Sequence, residues 1–212
     1  MDTIIVRIYE SVMNGLQEET STAIQAAINA GFDPVEILNQ GMIGAMTEVG
    51  RLYECGEYFI PEMLVAARAM QTGLGILKPH LAQADHKPAG KVVLGTVKGD
   101  LHDIGKNLVG MMLEGAGFDV VDLGNDVSPD KFMVSIINYQ PDILSMSALL
   151  TTTMLDMKTT IDVIKANGLR NRVKIIIGGA PITEDYAVQI GADGYSPDAS
   201  RATSLARSLM GI

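Results

Sequence analysis

The chain has 212 residues, enough for one large domain or two small ones, and 47% of it is hydrophobic, so a sizeable core needs no covalent staple. Charged residues make up 19% and Gly fills 22 positions, which excludes a disordered or coiled-coil chain and suits an α/β protein. A net charge of −9 with no cluster of Lys and Arg excludes nucleic acid and anionic membrane as partners, because both are bound by neutralising phosphates.

The first 80 or so residues read as helix. Ile4, Ile5, Ile8, Val12 and Leu16 carry the apolar face of a first helix. Ala23, Ala26, Ala27 and Ala30 carry a second, with Gly31 as its C-cap. Asp33-Pro34 starts a third, since Asp accepts from orphan backbone donors and Pro tolerates the first helical position. It continues through Val35, Leu38, Met42 and Met46 to Val49 or Leu52, and breaks at Cys55-Gly56. A fourth helix runs from Pro61 to Leu77, and four short-linked helices bury their stripes best as an antiparallel bundle. His80 to Gly90 is polar and ends in Lys87-Pro88-Ala89-Gly90, the signature of a linker.

Beyond it the period changes. Strands are expected at 92–97, 120–123, 143–147 and 173–177, with a weak fifth near Gly194-Tyr195. Helices are expected at 104–117, 129–139, after the third strand to Ala166, and from Ala199. Alternation of strand and helix implies a parallel sheet covered on both faces. The expected fold class is therefore α/β: an N-terminal four-helix bundle over 1–85, and a flavodoxin-like (Rossmann-like), doubly wound five-stranded sheet over 90–212. Ligands of such sheets bind beyond the carboxyl ends of the strands.

Three unusual stretches fall at those ends. Gly99-Asp100-Leu101-His102-Asp103-Ile104-Gly105 follows the first strand, Ser147 to Thr153 the third, and Gly178-Gly179-Ala180-Pro181 the fourth. A His between two aspartates is a good metal ligand, because a carboxylate on its far ring nitrogen fixes ring orientation and raises basicity. Two alternatives compete on chemistry alone. One is a hydrolytic metal site using Asp100, His102 and Asp103 directly; the other is a helix-capping Asp beside a loop histidine.

The run Gly99-Asp100-Leu101-His102-Asp103-Ile104-Gly105-Lys106-Asn107 resembles the Asp-X-His-X-X-Gly cobalamin-binding motif of methionine synthase, the carbon-skeleton mutases and small corrinoid proteins. Ser147-Ala148-Leu149 resembles its Ser-X-Leu companion, and Gly178-Gly179 its Gly-Gly companion. The resemblance implies a cobalamin cofactor (methylcobalamin or a related corrinoid), with His102 as lower ligand to cobalt and Asp100 as its carboxylate partner. It places Thr153 where methionine synthase has the serine of a His-Asp-Ser relay. The nucleotide tail would meet Ser147, Thr151 and Ala199, and pass Gly105, Gly178 and Gly179, which admit it by lacking side chains. Gly99, Leu101, Asp103, Ile104 and Leu149 complete the cofactor-binding set.

The helical unit resembles the cap that covers the upper cobalt face in methyl-transferring proteins, with Tyr53, Tyr58, Phe59, Met63 and Leu64 as candidate contacts. The implied function is a corrinoid protein of a methylamine-, methanol- or methoxyarene-type methyltransferase system, not catalytic alone. Its partners would be a substrate-specific methyltransferase, an acceptor methyltransferase serving tetrahydrofolate or coenzyme M, and a reductive activase. A cobalamin-dependent sensor is the alternative, though no residues remain for a DNA-binding module; the cobalamin subunit of a mutase ranks third. The lone Cys55 and an N-terminus without a signal-like apolar run give the expectation of a cytoplasmic protein without membrane contact.

Overall fold

The structure, a computed structural model, describes residues 2–84 and 86–212. Met1, and Asp85 in the expected linker, lie outside the described residues. The chain divides into two compact units. One comprises residues up to Lys87 with Glu114–Gly117, the other Pro88–Leu113 with Phe118–Ile212.

The first unit is helical. α1 (Thr3–Met13) is capped by Asp2, whose carboxylate accepts from the Ile4 N–H at 3.2 Å, and it buries Ile5, Ile8, Ser11 and Val12. Leu16 falls beyond its end and is largely exposed, a correction to the expected stripe. α2 (Gln17–Asn29) buries Thr20, Ala23, Ile24 and Ala27. Ala26 and Ala30 face outward, because the i, i+3, i+4, i+7 stripe is set by Thr20 and Ile24 instead. The third expected helix is one continuous rod with a wide turn in it. α3 (Pro34–Glu36), capped by Asp33, runs into a π-helical stretch (Ile37–Ile43) and then α4 (Gly44–Glu54). Gly41 lies in the π stretch, where an added Cβ would come within 2.9 Å of Ile8 Cγ2, so the residue lets α1 approach closely.

α5 (Ile60–Gln83) runs past Pro79, against the expectation of an end at Leu77 and a linker from His80. Leu77 and Leu81 both remain buried, and that continued stripe outweighs a proline placed near the helix end. Met63, a candidate cap contact, is fully buried in this unit's core; Phe59 and Ile60 are exposed.

The second unit holds β1 (Lys91–Thr96), β2 (Asp119–Asp122), β3 (Ile143–Ser147), β4 (Lys174–Gly178) and β5 (Gly194–Ser196). The order is β2-β1-β3-β4-β5, and every pairing is parallel. Runs such as Ile175, Ile176 and Ile177 are buried on both faces, as helix-covered parallel strands require. The crossover helices are α6 (Ile104–Gly115), α7 (Pro129–Tyr139), α8 (Leu155–Ala166) and α9 (Glu184–Ile190), with α10 (Ala199–Met210) last. α9 is absent from the sequence-based expectation, yet its signals are present. Thr183 caps it by accepting from the Tyr186 N–H at 3.2 Å, two acids fill the first turn, and Gly191 closes it. The strand order reverses between β1 and β3, so the crevice for a ligand opens beyond Thr96 and Ser147.

Candidate functional site

At that switch point the Val97 N–H donates to the Ser147 carbonyl at 3.0 Å, tying the two strand ends together. The chain then reverses in a turn closed by the Asp100 N–H on the Val97 carbonyl at 3.2 Å. Gly99 occupies its third position with φ +78°, which type II turns reserve for glycine. The turn delivers the Asp100 side chain into the sheet end, where its side chain is 0% exposed.

Four donors converge on that carboxylate. Oδ1 accepts from the His102 N–H at 3.0 Å and lies 2.7 Å from His102 Nδ1. Oδ2 accepts from the Leu149 N–H at 2.7 Å and from Thr153 Oγ1 at 2.7 Å. Burial alone would raise the Asp100 pKa. The bonds from the Leu149 N–H, the Thr153 hydroxyl and then the His102 N–H and ring outweigh burial and hold it well below the ordinary carboxylate range. Asp100 thus stays ionised, and an ionised partner keeps the proton on His102 Nδ1. Nε2 is the ring nitrogen turned away from Asp100, on a side chain 53% exposed. A hydrogen-bonded chain from His102 through Asp100 to Thr153 is assembled.

The first and third strand-end stretches therefore meet directly, through Asp100, His102, Leu149 and Thr153. The fourth joins them through its backbone: the Ala148 N–H donates to the Gly178 carbonyl at 3.2 Å. Around His102, Leu101 is 69% and Ile104 84% exposed, with Leu149 also outward, an apolar surface unusual for a strand-end loop. Gly105 and Thr151 are exposed and Asp103 is half-buried at the mouth of α6, its carbonyl accepting from the Asn107 N–H at 2.8 Å. Ala199 opens α10 beyond β5, buried. Among the described residues no three His, Cys, Asp or Glu side chains gather as a metal-binding group. The direct Asp100–His102–Asp103 site is not assembled, because both oxygens of Asp100 are taken by other donors. Sequence reasoning also passed over Lys106. Its side chain is buried, and its ammonium donates to Asn107 Oδ1 at 2.6 Å and pairs with Asp122 at the end of β2. A lysine inside a helical apolar pattern gives no sequence signal of that pairing.

The B12 binding domain family matches residues 90–204, more than half of the chain, and a second B12 binding domain family matches residues 4–78. The chain belongs to the B12-binding corrinoid proteins. The trimethylamine corrinoid protein 1 of Methanosarcina acetivorans is 39% identical over 99% of this chain and 98% of its own length. A corrinoid protein of Desulfitobacterium hafniense is 36% identical over 99% and 98%. Among solved structures, the methanol:cobalamin methyltransferase complex of Methanosarcina barkeri superposes with TM-score 0.90 at 32% identity, covering 99% of this chain and 80% of the other. A cobalamin-binding protein of D. hafniense superposes with TM-score 0.80 at 32% identity, covering 99% and 98%.

The residues of this B12-binding corrinoid protein fit its cofactor. A half-exposed imidazole backed by an ionised carboxylate is the donor set a cobalt ligand needs. The glycines divide in a telling way. A Cβ on Gly179 would lie 1.8 Å from the Ala148 carbonyl oxygen, and one on Gly178 would lie 2.8 Å from that of Ser196, so packing within the protein already demands glycine at both. That adds a reason to the expected one, admission of a tail. At Gly105 a Cβ would meet nothing within 4 Å, so no protein contact accounts for glycine there.

The depressed Asp100 pKa predicts a pH effect on the corrinoid-free protein. A lowered folded-state value stabilises the fold above the unfolded pKa, about 3.9, and that contribution is lost as pH falls toward the folded value. Asp100→Asn should therefore lower the urea midpoint at pH 7, and the gap to wild type should narrow below about pH 4. A gap constant from pH 7 to pH 2.5 would show that Asp100 contributes no charge-linked stability.

Proposed function

We propose that this chain is the methyl-carrying corrinoid subunit of a methyltransferase system. The observation that carries the reading is the His102-Asp100-Thr153 chain at the β1/β3 switch point, with the apolar Leu101, Ile104 and Leu149 around it. His102 is the residue that holds the cobalt. Asp100 fixes the ring and its protonation, and Thr153 and the Leu149 N–H keep Asp100 ionised and in place. Gly99, Leu101, Asp103, Ile104, Gly105, Ser147, Thr151, Gly178, Gly179 and Ala199 line the cofactor and its tail. When bound, the corrinoid supplies a cobalt centre that accepts a methyl group and gives it up again.

The relatives' names point the same way. They are corrinoid proteins of trimethylamine and dimethylamine, and the superposed complex is a methanol:cobalamin methyltransferase. This chain has two compact units, each smaller than a barrel of about 250 residues. It works between a substrate-specific methyltransferase and an acceptor methyltransferase serving tetrahydrofolate or coenzyme M, with a reductive activase to restore oxidised cobalt. We read residues 1–85 as the cap unit and 90–212 as the cobalamin-binding unit. Among the described residues no helix is long and apolar enough to cross a membrane, and we place the protein in the cytoplasm.

The test is methyl transfer. The reconstituted, reduced protein is mixed with trimethylamine, dimethylamine or methanol, each with and without its methyltransferase. Methylation of the bound corrinoid should occur with one pair and not with the donor alone. Methylation by a donor without its methyltransferase would make the chain an enzyme and contradict the carrier role.

A further inference from the structure

The loop after β2, residues 123–127, has no part in the site described so far, yet it grips the histidine loop along its backbone. Asp126 Oδ1 accepts from the Gly99 N–H at 2.7 Å, and the Asp126 N–H donates to the Asp100 carbonyl at 3.0 Å. Asn125 Nδ2 donates to the Leu101 carbonyl at 3.4 Å. Thr96, the buried last residue of β1, donates its hydroxyl to the His102 carbonyl at 3.1 Å. Gly99, Asp100, Leu101 and His102 are thus each held by a residue outside their own loop.

The gripping loop is itself fixed to the sheet. The Thr96 N–H donates to the Gly124 carbonyl at 3.0 Å, and the Val127 N–H donates to the Thr96 carbonyl at 2.9 Å. Asp122, which pairs with Lys106, also accepts from the Gly124 N–H at 2.8 Å. Asp126 sits at φ +50°, a backbone region that L residues seldom enter and that Asp and Asn tolerate best. An exposed residue held there, making two bonds to one neighbouring loop, is where local strain serves a geometric purpose.

We propose that Asp126 is a positioning residue for the cobalt ligand: with Asn125 and Thr96 it sets the path of residues 99–102 on which the His102 ring is mounted. The inference rests on His102 being that ligand. Asp100 orients the ring, whereas Asp126 places the backbone that carries it. A metal-ligand bond needs both, because an error of a few tenths of an ångström in the support is passed on to the donor atom.

Two variants separate the acceptor from the backbone conformation. Asp126→Gly removes the carboxylate and keeps a residue at ease with positive φ. Asp126→Asn keeps an acceptor oxygen and tolerates the same region. The full chain and each variant are reconstituted with hydroxocobalamin, and the visible spectrum gives the ratio of water-ligated to His-ligated cobalt. Far-UV circular dichroism and one corrinoid per chain establish that each is folded. Asp126→Gly should raise the ratio about tenfold, as changes behind a metal ligand do, and Asp126→Asn should keep the wild-type ratio. Thr96→Val, near-isosteric, should shift it in the same direction as Asp126→Gly. A His-ligated wild type matched by Asp126→Gly would overturn the positioning role alone, as would equal shifts in Asp126→Gly and Asp126→Asn. A water-ligated wild type would overturn both this role and the ligand assignment.

Discussion

His102→Ala is expected to change the visible spectrum of the reconstituted protein to that of water-ligated cobalt while leaving the fold intact. The side chain is half exposed, and its one strong internal bond is to Asp100, so the corrinoid-free protein loses little by its removal. Asp100 keeps its bonds from the Leu149 and His102 N–H groups and from Thr153, none of which needs the imidazole. The loss falls on the cofactor. Changes merely behind a metal ligand cost about tenfold to hundredfold in affinity or activity, and removing the ligand should cost methyl transfer at least that much. Corrinoid binding itself should survive through contacts independent of cobalt. The measurement is the absorption spectrum of wild type and variant at equal corrinoid loading; coincident spectra would mean another residue ligates the metal.

Gly179→Ala should be the most damaging single substitution in the sheet unit, and Gly105→Ala should be its opposite. At Gly179 the new methyl would sit 1.8 Å from the Ala148 carbonyl oxygen, on a backbone with φ +132° that no L residue adopts without strain. Overpacking and backbone strain together should cost on the order of 3 kcal/mol or more. The displaced segment is 148–149, whose Leu149 N–H holds Asp100, so the histidine would lose its support as well. At Gly105 the methyl meets nothing within 4 Å, and the position lies in the first turn of α6, where Ala is the better helix former. Gly105→Ala should unfold in urea no earlier than wild type yet bind hydroxocobalamin more weakly. Urea midpoints without corrinoid and titrations with it separate the two. If Gly105→Ala binds as wild type does, the bound group does not pass over that residue.

Much of this arrangement was legible from the residues because the signals were local. The alternation of β-branched runs with helical periods gave the parallel sheet, and the motif spacing put Asp100 and His102 at the end of its first strand. Thr153 could be named only through the resemblance to methionine synthase, and its hydroxyl donates to Asp100 at 2.7 Å. What was missed depended on tertiary context. α5 runs through Pro79 because Leu81 continues a buried stripe, which outweighs local propensity. α9 was hidden by its shortness, although Thr183, Glu184, Asp185 and Gly191 mark its ends. Leu16 and Ala30 fit apolar stripes in sequence but fall just outside their helices, and the phase of α2 turns Ala26 outward. Asp126 could not be read at all: in sequence it is one more loop aspartate, and its meaning lies in a φ of +50° and two bonds to a loop 26 and 27 residues away.

Isotopic labelling of histidine reads out whether His102 holds the cobalt of the bound corrinoid. The protein is produced with nitrogen-15 in its histidines, loaded with unlabelled cobalamin and reduced by one electron to the paramagnetic cobalt state. Electron paramagnetic resonance then reads whether the nitrogen bound to cobalt is a labelled one. A histidine ligand predicts that each line split into a triplet by ordinary nitrogen becomes a doublet on labelling, and that His102→Ala removes the splitting. A triplet unchanged by the label would place the cofactor's own base on cobalt and contradict the account.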